Sequence, residues 1–146
     1  SFKDRPYRVI APIRSFLNKL PPFDIPDNVI VTDWLPAMRV NAIVDISVIH
    51  GGIGTVMTAA MSGKPIVGVA MQPEQSANLA AIVRKGCAIS VPKSKDPSQK
   101  VQAAIEKLLN DEQAKSLARD YSVSLKSWNG PENTARILYE TYASTK

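Results

Sequence analysis

Cysteine and histidine are nearly absent from this chain of 146 residues, which has one of each, Cys87 and His50. A single cysteine excludes an internal disulfide and a metal cluster built from thiolates. Cys87 follows Gly86 at the start of an apolar stretch, which favours a small buried side chain. A chain without disulfides is typical of a reducing compartment, so the sequence predicts a cytoplasmic protein.

Long apolar runs are absent too. The longest, from Ile66 to Met71, is far shorter than the roughly 20 residues of a membrane-spanning helix. The first residues hold no apolar signal-peptide core, because Lys3, Asp4 and Arg5 stand there instead. The chain begins with serine rather than methionine, which leaves open a processed product or a fragment of a longer protein. The sequence predicts no membrane span.

Acidic residues are fewer than basic ones, 13 against 18, which gives a net charge of +5. The excess is local, since residues 1–20 hold five basic side chains and one acidic side chain. A nucleic-acid site would instead follow one binding face, with aromatic residues interleaved among the basic ones. We therefore expect no nucleic-acid partner, and interpret the basic stretch as a solvated end or a surface for an acidic partner.

The remaining composition is that of an ordinary globular protein, with 45% hydrophobic and 21% charged residues and a mean hydropathy of -0.09. The length suits one domain over 1–146, which should bury about 70% of its unfolded surface. No internal repeat or low-complexity segment interrupts it.

Hydrophobic periodicity alternates between strand and helix along the chain. Strands are predicted over 7–11, 29–31, 44–49, 66–70 and 87–91. Helices are predicted over 12–20, 37–42, 56–62, 77–85, 97–109, 114–125 and 129–142. Strands separated by helices, in a chain too short for a barrel, predict an open, mostly parallel α/β sheet. We expect a Rossmann-like domain with helices on both faces and a helical C-terminal tail.

The segment from His50 to Thr55 follows a predicted strand and contains three glycines. Glycine lets backbone N–H groups approach an anion closely, and the helix that follows points its positive end the same way. The His50 ring and the Thr55 hydroxyl can add donors. The pattern predicts a phosphate or diphosphate site, and a tight turn without a ligand is the alternative.

Two other segments also follow strands. Glu74 and Gln75 stand in a predicted loop over 71–76, where a carboxylate and an amide can bond to vicinal hydroxyls. Without a second carboxylate in that segment, this is sugar binding rather than acid–base catalysis, and an exposed polar loop is the alternative. Trp34 can offer a flat face to a base, or it is a core aromatic residue.

The order of these motifs resembles the C-terminal, nucleotide-sugar-binding half of a GT-B glycosyltransferase of the UDP-glycosyltransferase type, glycosyltransferase family 1. The resemblance covers about residues 28–142, and it rests on the joint order of the motifs rather than on any one of them. The motifs are Trp34-Leu35-Pro36, His50 to Thr55, Gly63-Lys64-Pro65, Glu74-Gln75, Asn78, Lys85-Gly86-Cys87-Ala88 and Gly130-Pro131-Glu132-Asn133.

The resemblance implies a role for each matching position. Trp34 would stack on the nucleobase, whose edge the backbone near Leu35 and Ala37 would read. The diphosphate would lie against His50, Gly52, Gly54 and Thr55. The donor sugar would bond to Glu74 and Gln75.

The resemblance also implies a chemistry, which is direct displacement with inversion and without a metal. The nucleotide-sugar is then a substrate, so neither a cofactor nor a metal site is expected. Positive groups at the diphosphate would stabilise the leaving nucleotide. The general base belongs to the N-terminal acceptor domain of the family, which is not in this chain, so no catalytic residue is expected here. An acceptor domain or a partner subunit is expected to supply it.

Three features of this sequence depart from the family pattern. Thr58 stands where the family usually has a glutamate for the ribose, which leaves UDP and dTDP both open. Ala37 stands where a glutamine often follows. The first strand of the domain, with its Gly-Ser turn, is missing or shortened before Tyr7.

Two other functions stay open. One is a non-catalytic glycosyltransferase-like subunit that needs a partner chain. The other is an NAD-binding Rossmann domain, because Gly52 and Gly54 match two of its three glycines and Glu74 lies twenty residues after Gly54. Met57 stands at the third glycine position, where we expect its bulk to keep the helix off the strand.

Overall fold

The computed structural model describes residues 2–19 and 21–143. Its strands are β1 (Val9–Ala11), β2 (Val29–Val31), β3 (Ser47–Ile49), β4 (Ile66–Gly68) and β5 (Ala88–Ser90). Its α-helices are α1 (Ala37–Ile43), α2 (Ile53–Ala60), α3 (Pro73–Val83), α4 (Ser98–Leu109), α5 (Glu112–Ser127) and α6 (Gly130–Ala143). A 3₁₀ helix (Arg14–Lys19) follows β1. The predicted alternation of strands and helices and the helical C-terminal tail are confirmed.

All strand pairs are parallel, as predicted. β1 pairs with β2, and β4 lies between β3 and β5. The strands form two ladders rather than one sheet, because no described strand joins β1 to β3. The standard doubly wound order, 3-2-1-4-5-6, has one strand at that place.

Helices cover both faces of the three-stranded sheet, as the sequence predicts. Ile66 and Val67 are neighbours on β4, are 1% and 0% exposed, and belong to different cores. Ile66 packs in a core with residues of α2 and α3, including Leu79. Val67 packs in a core with residues of α4, including Leu108. A strand that is buried on both faces explains the apolar run in this part of the sequence.

Two helices begin earlier than the sequence predicts. α2 begins at Ile53 rather than residue 56, so that Gly54 lies inside it, with Gly52 as its N-cap. α3 begins at Pro73 rather than residue 77, because proline is already preorganised for the first position of a helix. The prediction of a loop over 71–76 is therefore wrong for Glu74 and Gln75, which belong to the first turn of α3.

The helix predicted over 12–20 is a 3₁₀ helix instead. Its Phe16 N–H donates to the Ile13 carbonyl at 2.9 Å, three residues back. A hydrogen bond to the carbonyl three residues back defines a 3₁₀ helix rather than an α-helix. Leu20, the last residue of the predicted stripe, lies outside the described residues.

The N-cap of α4 is Pro97, and Asp96 Oδ1 accepts from the N–H of Ser98, the first residue of the helix, at 2.9 Å. Hydrogen bonds from the side chain of Ser98 and then from its N–H lower the pKa of the Asp96 carboxyl. The helix itself begins at Ser98, one residue after the predicted start. Within 2–19 and 21–143, no helix is both long and apolar enough to cross a bilayer.

Candidate nucleotide-sugar site

The turn between β3 and α2 consists of His50, Gly51 and Gly52, and its backbone lies directly against α3. Gly51 has a φ of +97°, which favours glycine. A Cβ at Gly51 would lie 2.7 Å from Leu79 Cγ and 2.8 Å from the Gln75 carbonyl oxygen. Any larger residue at this position would push the turn away from α3.

The N-terminus of α2 is open. The first N–H groups of an α-helix have no acceptor within it, and no described side chain caps this end at Gly52. A Cβ built at Gly54 would have no heavy atom within 4 Å. Free donors beside empty space, at the positive end of a helix, form a place where an anion can bind.

His50 stands beside this opening. Its side chain is exposed, and its Nε2 lies 2.8 Å from the point where a Cβ of Gly52 would be. The ring therefore covers the face of the turn next to the free N–H groups. An exposed ring in this position is not a buried structural histidine and is accessible to a ligand.

The two threonines of α2 differ in the hydrogen-bonding groups that they can offer to a ligand. Thr55 is half-buried in the first turn of the helix. The Thr58 hydroxyl donates to the Gly54 carbonyl at 2.6 Å, so that only its lone pairs remain for a ligand. Met57 is 36% exposed, so that part of its side chain faces away from the interior.

Glu74 and Gln75 lie in different environments. Successive residues on an α-helix point about 100° apart. Glu74 is exposed, whereas Gln75 is 9% exposed and its Oε1 accepts from the Met71 N–H at 2.9 Å. Gln75 thus closes the turn between β4 and α3, and its amide N–H groups and the second lone pair of Oε1 remain for a ligand.

Asn78 connects the turn to Glu74. Its Nδ2 donates to the Gly51 carbonyl at 3.0 Å and to Glu74 Oε1. Asn78 belongs to one of the sequence motifs, but no function could be predicted for it from that motif. The signal that was available is its spacing of four residues from Glu74, which places both side chains on one face of a helix.

Trp34 lies beyond β2, on the other ladder, and its side chain is 83% exposed. The alternative of a core aromatic residue is therefore wrong. Leu35 is half-buried, and Ala37 is exposed and begins α1, which packs against α2. Among the described residues, no hydrogen bond, ion pair or ring contact joins Trp34 to the glycine turn.

Among the described residues, no three His, Cys, Asp or Glu side chains gather closely enough to hold a metal ion. The site consists of backbone donors, one imidazole, one exposed carboxylate and one exposed indole. These groups can bind a phosphate, hydroxyls and a flat ring.

Solved structures identify the class to which this fold belongs, the GT-B glycosyltransferases. The calicheamicin glycosyltransferase CalG4 superposes with a TM-score of 0.78 at 25% identity, over 95% of this chain and 36% of that one. The glycosyltransferase of kitacinnamycin also gives a TM-score of 0.78, at 24% identity, over 91% of this chain and 34% of that one.

The family follows from a family model that matches residues 17–140 and is described as "Erythromycin biosynthesis protein CIII-like, C-terminal domain". The chain belongs to this family.

Two curated relatives align over nearly all of the chain. UDP-glycosyltransferase 2 of Phaeomoniella chlamydospora is 28% identical over 99% of the chain and 32% of its own length. NDP-glycosyltransferase YjiC of Bacillus subtilis is 24% identical over 92% of the chain and 34% of its own length. The chain thus spans about a third of the curated relatives that it matches.

Proposed function

We propose that this chain is the donor-binding part of an inverting, metal-independent glycosyltransferase, which transfers a sugar from a nucleoside-diphosphate sugar to an acceptor hydroxyl. The observation that carries the proposal is the uncapped N-terminus of α2, open at Gly54 and bordered by the His50 ring. Membership of a glycosyltransferase family supports it. A UDP-sugar is the first choice of donor, with a dTDP-sugar as the alternative.

The diphosphate lies against His50, Gly52, Gly54 and Thr55 in this proposal. Free N–H groups and the helix dipole favour its negative charge without a metal. The same donors stabilise the nucleoside diphosphate as it leaves, when it carries more charge than in the bound substrate. The chain therefore contributes electrostatic stabilisation rather than a proton-transfer group.

The nucleoside lies toward Trp34, whose exposed indole is free to stack on a base. The backbone near Leu35 and Ala37 reads the edge of that base. The ribose lies near Thr58, whose hydroxyl can only accept while it donates to the Gly54 carbonyl. We therefore assign the ribose a weaker contact than a glutamate at this position would give.

The donor sugar bonds to Glu74 and Gln75 in this proposal. Glu74 is exposed and has one carboxylate oxygen beyond the one that Asn78 holds. Gln75 contributes mainly through its amide nitrogen, because its oxygen already accepts from the Met71 N–H and the residue is only 9% exposed. Glu74 is accordingly the stronger of the two contacts.

The acceptor and the general base belong to polypeptide outside these 146 residues. The support is that the chain spans about a third of its curated relatives. A non-catalytic subunit that requires a partner chain is the alternative. We place the reaction in the cytoplasm, where a free thiol such as Cys87 is stable.

Titration calorimetry of this chain with UDP, dTDP, UDP-glucose and NAD tests the proposal. We expect binding of a nucleoside diphosphate, no binding of NAD, and no transfer of glucose to any acceptor. Binding of NAD in preference to both diphosphates would mean a dinucleotide site. Sustained transfer by this chain alone would contradict the missing acceptor side, whereas slow hydrolysis of the donor would not.

A further inference from the structure

The Asn78 side chain holds two parts of the candidate site at once. Both bonds are donated by Nδ2, one to the Gly51 carbonyl and one to Glu74 Oε1. A primary amide has two N–H groups, so this side chain commits its full donor capacity to the turn and the carboxylate. The two groups that it bridges are 23 residues apart in the chain.

The bond to Gly51 also sets the direction of a donor. In a trans peptide, the C=O and the following N–H point in opposite directions, and the structure contains no cis peptide bond among the described residues. Asn78 draws the Gly51 carbonyl toward α3, so the Gly52 N–H of the same peptide unit points away from α3. That direction is away from the helix against which the turn packs.

Packing against α3 fixes the position of the turn, but it does not fix the rotation of the peptide plane between Gly51 and Gly52. A Cβ at Gly51 would overlap the Leu79 side chain, which itself is 1% exposed. The turn is thus packed on α3 from behind, and Asn78 fixes the rotation of its peptide plane. Without Asn78, packing would still hold the turn in place but would not orient the Gly52 N–H.

We propose that Asn78 is a positioning residue that orients the Gly52 N–H toward the diphosphate and holds Glu74 in place for the sugar. This inference rests on the proposed function. It predicts that one substitution at Asn78 weakens two contacts, one that every nucleotide makes and one that only the intact donor makes. Asn78 itself contacts neither ligand.

The test compares the dissociation constants of UDP and UDP-glucose by calorimetry for four chains: wild type, Asn78→Ala, Glu74→Ala and the double variant. Asn78→Ala should weaken UDP about 10-fold, as expected when one oriented hydrogen bond is lost, and UDP-glucose by a further factor of about 5. Glu74→Ala should weaken UDP-glucose alone. In the Glu74→Ala background, Asn78→Ala should weaken both ligands by the same factor, since its effect on the sugar acts through Glu74.

Two further variants separate positioning from folding. Ser76→Ala changes an exposed residue of the same helix and should leave both constants unchanged. Asn78→Gln keeps both donors and should recover part of the loss in each ligand. A purely structural role would weaken both ligands equally in both backgrounds and would not be rescued, and that result would overturn the inference.

The outcome for the wild type separates this inference from the proposed function. Wild type that binds neither ligand would contradict the proposed function. Wild type that binds both, with Asn78→Ala unchanged, would overturn the positioning role alone.

Discussion

Replacing Gly54 by alanine should make the chain more stable and its nucleotide binding weaker. Gly54 is the second residue of α2, and a Cβ there meets no heavy atom within 4 Å. Alanine in place of a helical glycine stabilises by roughly 0.5–1 kcal/mol. We therefore expect an increase of up to about 1 kcal/mol in the free energy of unfolding, which raises the melting temperature by a few degrees.

The opposite effect on binding has a steric cause. The space that the new methyl group would fill lies beside the free N–H groups at the start of α2. A diphosphate there would have to move away from its donors, and losing a charge-assisted hydrogen bond costs about 1–3 kcal/mol. The UDP dissociation constant should therefore rise at least about 5-fold, as measured by calorimetry.

Gly130 provides the matched control. It begins α6, and a Cβ there also meets nothing within 4 Å. Gly130→Ala should leave the affinity for UDP unchanged, and little gain in stability is expected because Pro131 disfavours an α conformation at the residue before it. If Gly54→Ala binds UDP as tightly as wild type, the opening at α2 holds no diphosphate, and the turn is only a connection between β3 and α2.

The candidate site and the core lead to three other predictions. His50→Ala should weaken UDP binding by about 1–3 kcal/mol in calorimetry with little change in melting temperature, because the side chain is exposed; unchanged affinity with a large loss of stability would contradict this. Gln75→Ala should lower the free energy of unfolding in urea by roughly 1–3 kcal/mol, because the Met71 N–H loses its acceptor; an unchanged midpoint would show that water replaces it. Burial raises the pKa of the Cys87 thiol, so at pH 8 the folded chain should hold less thiolate than the unfolded chain and react far more slowly with Ellman's reagent; equal rates would mean that Cys87 is accessible.

The glycine turn could be predicted from the sequence because its backbone demands particular residues. A positive φ and contact with α3 leave only glycine at position 51. Residue identity and local geometry are thus directly linked there. The same holds for the apolar run at Ile66 and Val67, because a strand covered on both faces has no polar side.

The environments of Glu74 and Gln75 could not be predicted in the same way. They depend on where α3 begins. With a start at residue 77, both side chains would belong to a loop. With the observed start at residue 73, Glu74 is exposed and Gln75 is buried. Proline can either precede a helix or occupy its first position. Sequence periodicity does not decide between these two starts, since only a few residues are involved.

The candidate site divides into a part with a fixed geometry and a part that depends on two separate ladders. The turn at Gly51, the N-terminus of α2 and Glu74 are joined through α3, which packs on the buried core by Leu79. The contacts proposed for the diphosphate and the sugar therefore need no rearrangement within this chain. Trp34 instead follows β2, and no described strand joins that ladder to β3. The position that we propose for the base thus depends on the packing of α1 against α2, which links the two ladders. A change in that packing would then alter the affinity for the base more than the affinity for the diphosphate.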